Sequence, residues 1–75
     1  MNPRITIDAK ICHGKPVIRH TRVLVSNVLA DLAAGESHEA IIRNYPSITD
    51  HDIRAALQFG SALASFETIP FKKAV

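Results

Sequence analysis

The chain of 75 residues has one cysteine, no tryptophan, one tyrosine and three phenylalanines. A single cysteine, Cys12, cannot form an intramolecular disulfide, which excludes a stapled secreted scaffold and points to a reducing, cytoplasmic compartment. No apolar run approaches the roughly 18 residues of a membrane span, and Met1 to Lys10 interleaves charge with isoleucine where a signal peptide would be apolar, so no membrane association is expected. Gly14, Gly35 and Gly60 stand singly, so there is no glycine-rich phosphate loop. Cys12, His13, His20, His38 and His51 contain no C-x-x-C or H-x-x-x-H pair, and neither a metal nor another cofactor is expected. No serine or cysteine stands in a recognisable nucleophile arrangement, and so short a chain has little room for a pocket that excludes water. An enzyme is not expected.

What is present is an ordered, single-domain composition, 47% hydrophobic and 21% charged. A domain this small buries only about 60% of its extended surface, so a partner subunit is an economical source of further burial. The charge is unevenly spread. Arg4, Lys10, Lys15, Arg19 and Arg22 face one acid, Asp8, in residues 1 to 22, whereas acids outnumber bases in the remainder. An anionic partner for the front segment is one reading of that asymmetry, and a solvated basic face is the other.

Punctuation divides the chain into a β-hairpin arm at 1–25, a three-helix core at 26–66 and a tail at 67–75. The β-branched runs 5 to 7, 16 to 18 and 22 to 25 predict short strands, with Arg19-His20-Thr21 as a tight turn between the last two. Ser26 is placed to cap a first helix over about 27–34 that Gly35 ends. Ser37 caps a second over 38–44, stopped by Tyr45-Pro46. Thr49 opens the third with Asp52 as its reciprocal cap, and Ile48 and Ile53 as a hydrophobic staple. The outline is mainly α with a small N-terminal β-hairpin, a helix-turn-helix of homeodomain-like or winged-helix-like kind.

On a wheel of 100° per residue, the third helix carries one polar stripe of Arg54, Gln58, Ser61 and Ser65. Ile53, Leu57, Gly60 and Ala64 form one apolar side, expected to face the other helices. Ala55, Phe59, Ala62 and Phe66 form the opposite side, expected to make a homodimer interface, with cover by the front hairpin as the alternative. Ile69 and Phe71 in the tail join Phe59 and Phe66 as candidate partner contacts. Lys10, Lys15, Arg19 and Arg22 on the hairpin, with Arg54 on the third helix, are the candidate DNA contacts, because phosphates attract clustered cations whatever the base sequence. Asp50 and Asp52 oppose this at the end a recognition helix presents to a groove. Lys15 and Arg22 could alternatively be held in surface ion pairs with Asp31 or Glu36.

The stretch His13-Gly14-Lys15-Pro16-Val17-Ile18-Arg19-His20-Thr21-Arg22-Val23 resembles the signature of the small family of uncharacterised domains numbered 433. Leu32 to Ser37, Asn44-Tyr45-Pro46 with Ile48-Thr49, and Asp52 to Leu57 follow that family's landmarks in order, so the resemblance covers roughly residues 5 to 63. It implies a helix-turn-helix-like dimer grouped with VapB-type antitoxins, with a PIN-like toxin as partner and operator DNA as a possible second one. A DNA-binding regulator without a toxin partner is the alternative. One departure stands out: His20 occupies the position of a family glycine, so a positive φ there would strain this chain.

Overall fold

The computed structural model describes residues 2–65. Phe66, Ile69 and Phe71 lie outside them. The chain runs β1 (Ile5–Thr6), a one-turn 3-10 segment (Cys12–Gly14), β2 (Val17–Ile18), α1 (Val25–Ala33), α2 (His38–Asn44) and α3 (Asp50–Ser65). It is mainly helical, with one small antiparallel hairpin, as the sequence pattern predicts.

β1 and β2 pair with Ile5 opposite Ile18 and Thr6 opposite Val17. The strands are shorter than the β-branched runs that mark them, and Arg22 to Val25 forms no strand of its own. It contributes one bridge, Val17 to Leu24, and the amide of Val25 donates to the Pro16 carbonyl at 3.0 Å. Those pairings decide where α1 begins. The helix starts at Val25 with Leu24 at its N-cap and no side-chain cap, two residues earlier than the pattern places it, and Ser26 stands inside the first turn. Tertiary pairing has overridden the preference of serine for the cap. At the other end Gly35 has φ 89°, the left-handed conformation that glycine takes without steric cost.

α2 spans 38–44 as expected, with Ser37 Oγ accepting from the Ala40 amide at 3.0 Å. α3 begins with the predicted reciprocal cap: the Thr49 amide donates to Asp52 Oδ2 at 2.9 Å, and the Asp52 amide faces Thr49 Oγ1 at 3.4 Å.

Ile5 and Ile18 from the hairpin, Val25 and Val28 from α1, Ile41 from α2, Ile48, and Ile53, Ala55 and Ala56 from α3 form one core. Val28, Ile41, Ile53 and Ala56 are fully buried, and apolar surface removed from water at about 25 cal/mol per Å² is what holds the layers together. The hairpin thus covers one side of a three-helix unit instead of standing free, which a lone hairpin could not do stably.

The packing bears out Ile53 and Gly60 on the inward side and corrects the rest of the wheel reading of α3. Its buried face comprises Asp52, Ile53, Ala55 and Ala56, and Phe59 packs half-buried against the core while Leu57 is 43% exposed. Gly60 faces α1, where a Cβ would stand 3.3 Å from Leu29 Cδ1. Phe59, assigned from the wheel to an outward interface, therefore spends much of its surface inside its own domain, and Leu57 takes the outward place. Beyond Gly60 the helix outruns the core: residues 61–65 are all exposed, Leu63 at 60%. No helix among the described residues is long and apolar enough to cross a membrane.

Candidate functional site

Two turns meet beside the start of α3. The first closes when the Thr21 amide donates to the Ile18 carbonyl at 3.0 Å, with Thr21 Oγ1 donating to the same carbonyl at 2.7 Å. His20, third in that turn, has φ 67°. Glycine is the residue such a position favours, so the departure from the family glycine leaves a real strain, of about 1 to 2 kcal/mol for a non-glycine residue in the left-handed region. The second is the α2–α3 connection through Ser47. Between the two turns and the N-terminal segment lies a cleft of about 450 Å³, lined by Pro3, Arg4, Arg19, His20, Thr21, Ser47 and Asp52. On the other flank of the first turn, Arg19, His20, Thr21 and Arg22 line a second cleft of about 400 Å³ over Thr6, Ile11 and Val17.

The structure therefore brings Arg19 and Arg22 together around one turn, and adds Arg4 and His20 to them. Lys10 and Lys15 are exposed but line neither cleft. None of Lys10, Lys15, Arg19 and Arg22 makes an ion pair among the described residues, so the alternative of Lys15 or Arg22 pinned to Asp31 or Glu36 is not what is found. Arg54 is exposed at the start of α3 and tied by Nε to Asp50 Oδ2 at 2.9 Å.

Arg4 escaped the sequence reading, as its partner is 48 residues away. Arg4 Nη1 donates to Asp52 Oδ1 at 3.0 Å, and Asp52 is a buried carboxylate that also accepts from the Thr49 amide and hydroxyl. The backbone repeats the tie from the hairpin side, with the Arg19 amide donating to the Arg4 carbonyl at 2.7 Å. Asn2 Nδ2 donates to Gln58 Oε1 at 2.6 Å, six residues beyond Asp52 along α3.

Asp50, the second acid at this end, is held on both oxygens. His38 Nδ1 lies 2.5 Å from Oδ1, and because a carboxylate only accepts, that nitrogen carries the proton. The hydrogen bond from His38, then that from Arg54, hold the Asp50 carboxyl below its ordinary value of 3.8. The two carboxylates expected to repel phosphate are thus each spoken for by a cationic or hydrogen-donating side chain. Cys12 is free and half-buried, and no group of three metal-ligating side chains occurs among the described residues.

The backbone carries one more unexpected feature: Cys12, His13 and Gly14 follow each other at φ 49°, 59° and 81°, a single left-handed turn bridged by the Gly14 amide to the Ile11 carbonyl at 3.0 Å. It presents His13 and Lys15 to solvent ahead of β2.

A family model described as "Protein of unknown function (DUF433)" matches residues 5–60. An uncharacterized protein, y4eO, of Sinorhizobium fredii is 40% identical over 58 residues, which is 77% of this chain and 26% of that protein. The crystal structure of a DUF433 member protein from Anabaena variabilis ATCC 29413 is similar with a TM-score of 0.76 and 28% identity, over 84% of this chain and 62% of that one. The chain thus spans about a quarter of the curated relative's length and less than two thirds of the solved one's.

Proposed function

The chain belongs to the DUF433 family, and from that premise we propose that it is a helix-turn-helix-like DNA-binding protein serving as the antitoxin of a toxin–antitoxin pair. The observation that carries the DNA half is the junction of the two turns. Arg19 and Arg22, on the hairpin turn beside the first turn of α3, make no ion pair among the described residues, and both acids of that helix end are internally bonded. A wing-like turn and a recognition-helix start on one surface is the arrangement by which phosphates fix register and a helix addresses a groove. Arg54, held at the helix start by Asp50, is the side chain placed to read a base edge.

The toxin half draws its support from the exposed apolar side chains of α3, Leu57 at 43% at mid-helix and Leu63 at 60% in the end stretch that outruns the core. A PIN-like toxin, as the family resemblance implies, would cover that end and leave the turn surface open to DNA. A regulator without a toxin shares the turn surface and differs only in leaving that end uncovered.

Fluorescence anisotropy on duplex DNA across a salt series tests the DNA half. Each phosphate contact contributes about 0.9 to the slope of log K against log salt, so an Arg19→Ala, Arg22→Ala double variant should flatten it by about two units per protomer. No salt-sensitive binding by the wild type, or an unchanged slope in the double variant, would refute the assignment. Co-purification with the product of an adjacent reading frame encoding a PIN-like nuclease tests the toxin half. A Leu63→Asp variant that still co-purifies in full would remove the α3 end from that interface.

A further inference from the structure

The cleft between the two turns has a composition that the DNA reading does not require. Of its seven lining residues, Thr21 has no donor to spare, because its hydroxyl donates to the Ile18 carbonyl and its amide does the same. Pro3 has no donor, and the buried Asp52 accepts from Arg4 and Thr49. Arg4, Arg19, His20 and Ser47 remain. A guanidinium carries five N–H donors, of which Arg4 commits Nη1 to Asp52 while its side chain stays 47% exposed. Among the described residues, Arg19 commits only its backbone amide. The site is therefore rich in donors, and the one carboxylate in its wall is neutralised.

His20 supplies the second line of argument. The turn imposes φ 67°, where glycine would cost nothing, yet an imidazole stands there, exposed, with both clefts on its flanks. Strain kept at an exposed position is a sign that the side chain makes a contact outside the domain. We infer that Arg4, Arg19, His20 and Ser47 form an oxyanion-binding cleft that takes a phosphate group, with His20 as a contact residue. Arginine binds phosphate through paired N–H donors, and two arginines in the wall of one roomy cleft suit a tetrahedral anion with its first waters. That the phosphate belongs to a nucleic acid backbone rests on the preceding reading; a free phosphate or a phosphorylated small molecule offers the same chemistry.

The test is a titration of the isotopically labelled protein with inorganic phosphate, followed by amide NMR shifts and matched against sodium chloride at equal ionic strength. Saturable shifts at Arg4, Arg19, His20 and Ser47 are expected with phosphate and not with chloride. Arg19→Ala and His20→Gly should each weaken phosphate by about tenfold, the loss of one charge-assisted hydrogen bond. Arg43→Ala, which removes an exposed charge from the last turn of α2, should leave it unchanged. His20→Gly keeps the turn geometry, so a loss of phosphate binding in a variant with an unaltered amide spectrum elsewhere belongs to the imidazole. Shifts that follow ionic strength alone, or phosphate affinity unaltered in His20→Gly, would overturn the inference. Phosphate binding without DNA binding would keep the cleft and sink the DNA reading. DNA binding with no footprint at these four residues would do the reverse.

Discussion

Asp52→Ala is the substitution whose cost the structure allows to be worked from its parts. The carboxylate accepts from the Thr49 amide at 2.9 Å, the Thr49 hydroxyl at 3.2 Å and Arg4 Nη1 at 3.0 Å, in a side chain 10% exposed. Removing the cap half of this arrangement costs about 1 kcal/mol. The ion-pair half needs a discount. Stranding a buried charge costs about 3 to 5 kcal/mol, but Arg4 is half-exposed and its charge rehydrates, so the appropriate scale is the exposed pair at about 1 kcal/mol. Together these give a loss of about 2 kcal/mol, which in a domain of this size lowers the melting temperature by roughly 8 to 16 °C. Thermal unfolding followed by circular dichroism reads it directly. Thr49→Ala should lose only the cap, about 1 kcal/mol. A double-mutant cycle of Arg4→Ala with Asp52→Ala should return a coupling of about 0.5 to 1 kcal/mol. If Asp52→Ala costs less than about 0.5 kcal/mol, or the cycle returns no coupling, then the tie between the N-terminal segment and α3 is geometric only, and the reasoning from these contacts fails.

Two further predictions concern acid and the far end of α3. The folded-state pKa of Asp50 is depressed, so its contribution to stability is fully present above 3.8 and is lost as pH falls below that value through the lowered one. Asp50→Asn should therefore flatten the acid limb of a melting-temperature profile below pH 3.8, and an acid limb identical to wild type would show that the His38 and Arg54 bonds contribute nothing in solution. Leu63→Asp, at a position 60% exposed, should leave the monomer fold and melting temperature within about 0.5 kcal/mol of wild type while abolishing any self-association seen by sedimentation. Persistence of a dimer in that variant would place the contact elsewhere.

The elements that local chemistry marks were the ones legible in the sequence. Ser37 and Tyr45-Pro46 bracket α2, and Thr49 with Asp52 opens α3, because capping groups lie within three residues of what they cap. The start of α1 was misread at Ser26, since the hydrogen bond from Val25 to Pro16 and the bridge from Leu24 to Val17 come from a strand that the local window around Ser26 does not contain. Periodicity on α3 identified an amphipathic helix and put Ile53 and Gly60 on its packed side, but not where that arc ends. A wheel has no origin until neighbouring helices supply one, which is why Leu57 and Phe59 exchanged places. At the candidate site, Arg19 and Arg22 were visible as free cations in one short segment. Arg4 was not, because no spacing rule connects residue 4 to residue 52. The hydrogen bond from His38 to Asp50 was equally hidden, although both residues sit at helix starts.

The positive φ angles at Cys12, His13 and His20 have a consequence for the handedness of the building blocks themselves. An L-residue is strained there because its Cβ crowds the neighbouring carbonyl, and the mirror-image residue has the opposite preference. A D-alanine introduced at position 20 by chemical synthesis would meet its own favoured backbone region. Unlike glycine, it would also carry a restricted unfolded ensemble into the comparison. Stability at that position should therefore rise from glycine to D-alanine, an order set by stereochemistry and unfolded-state freedom because neither residue carries the imidazole.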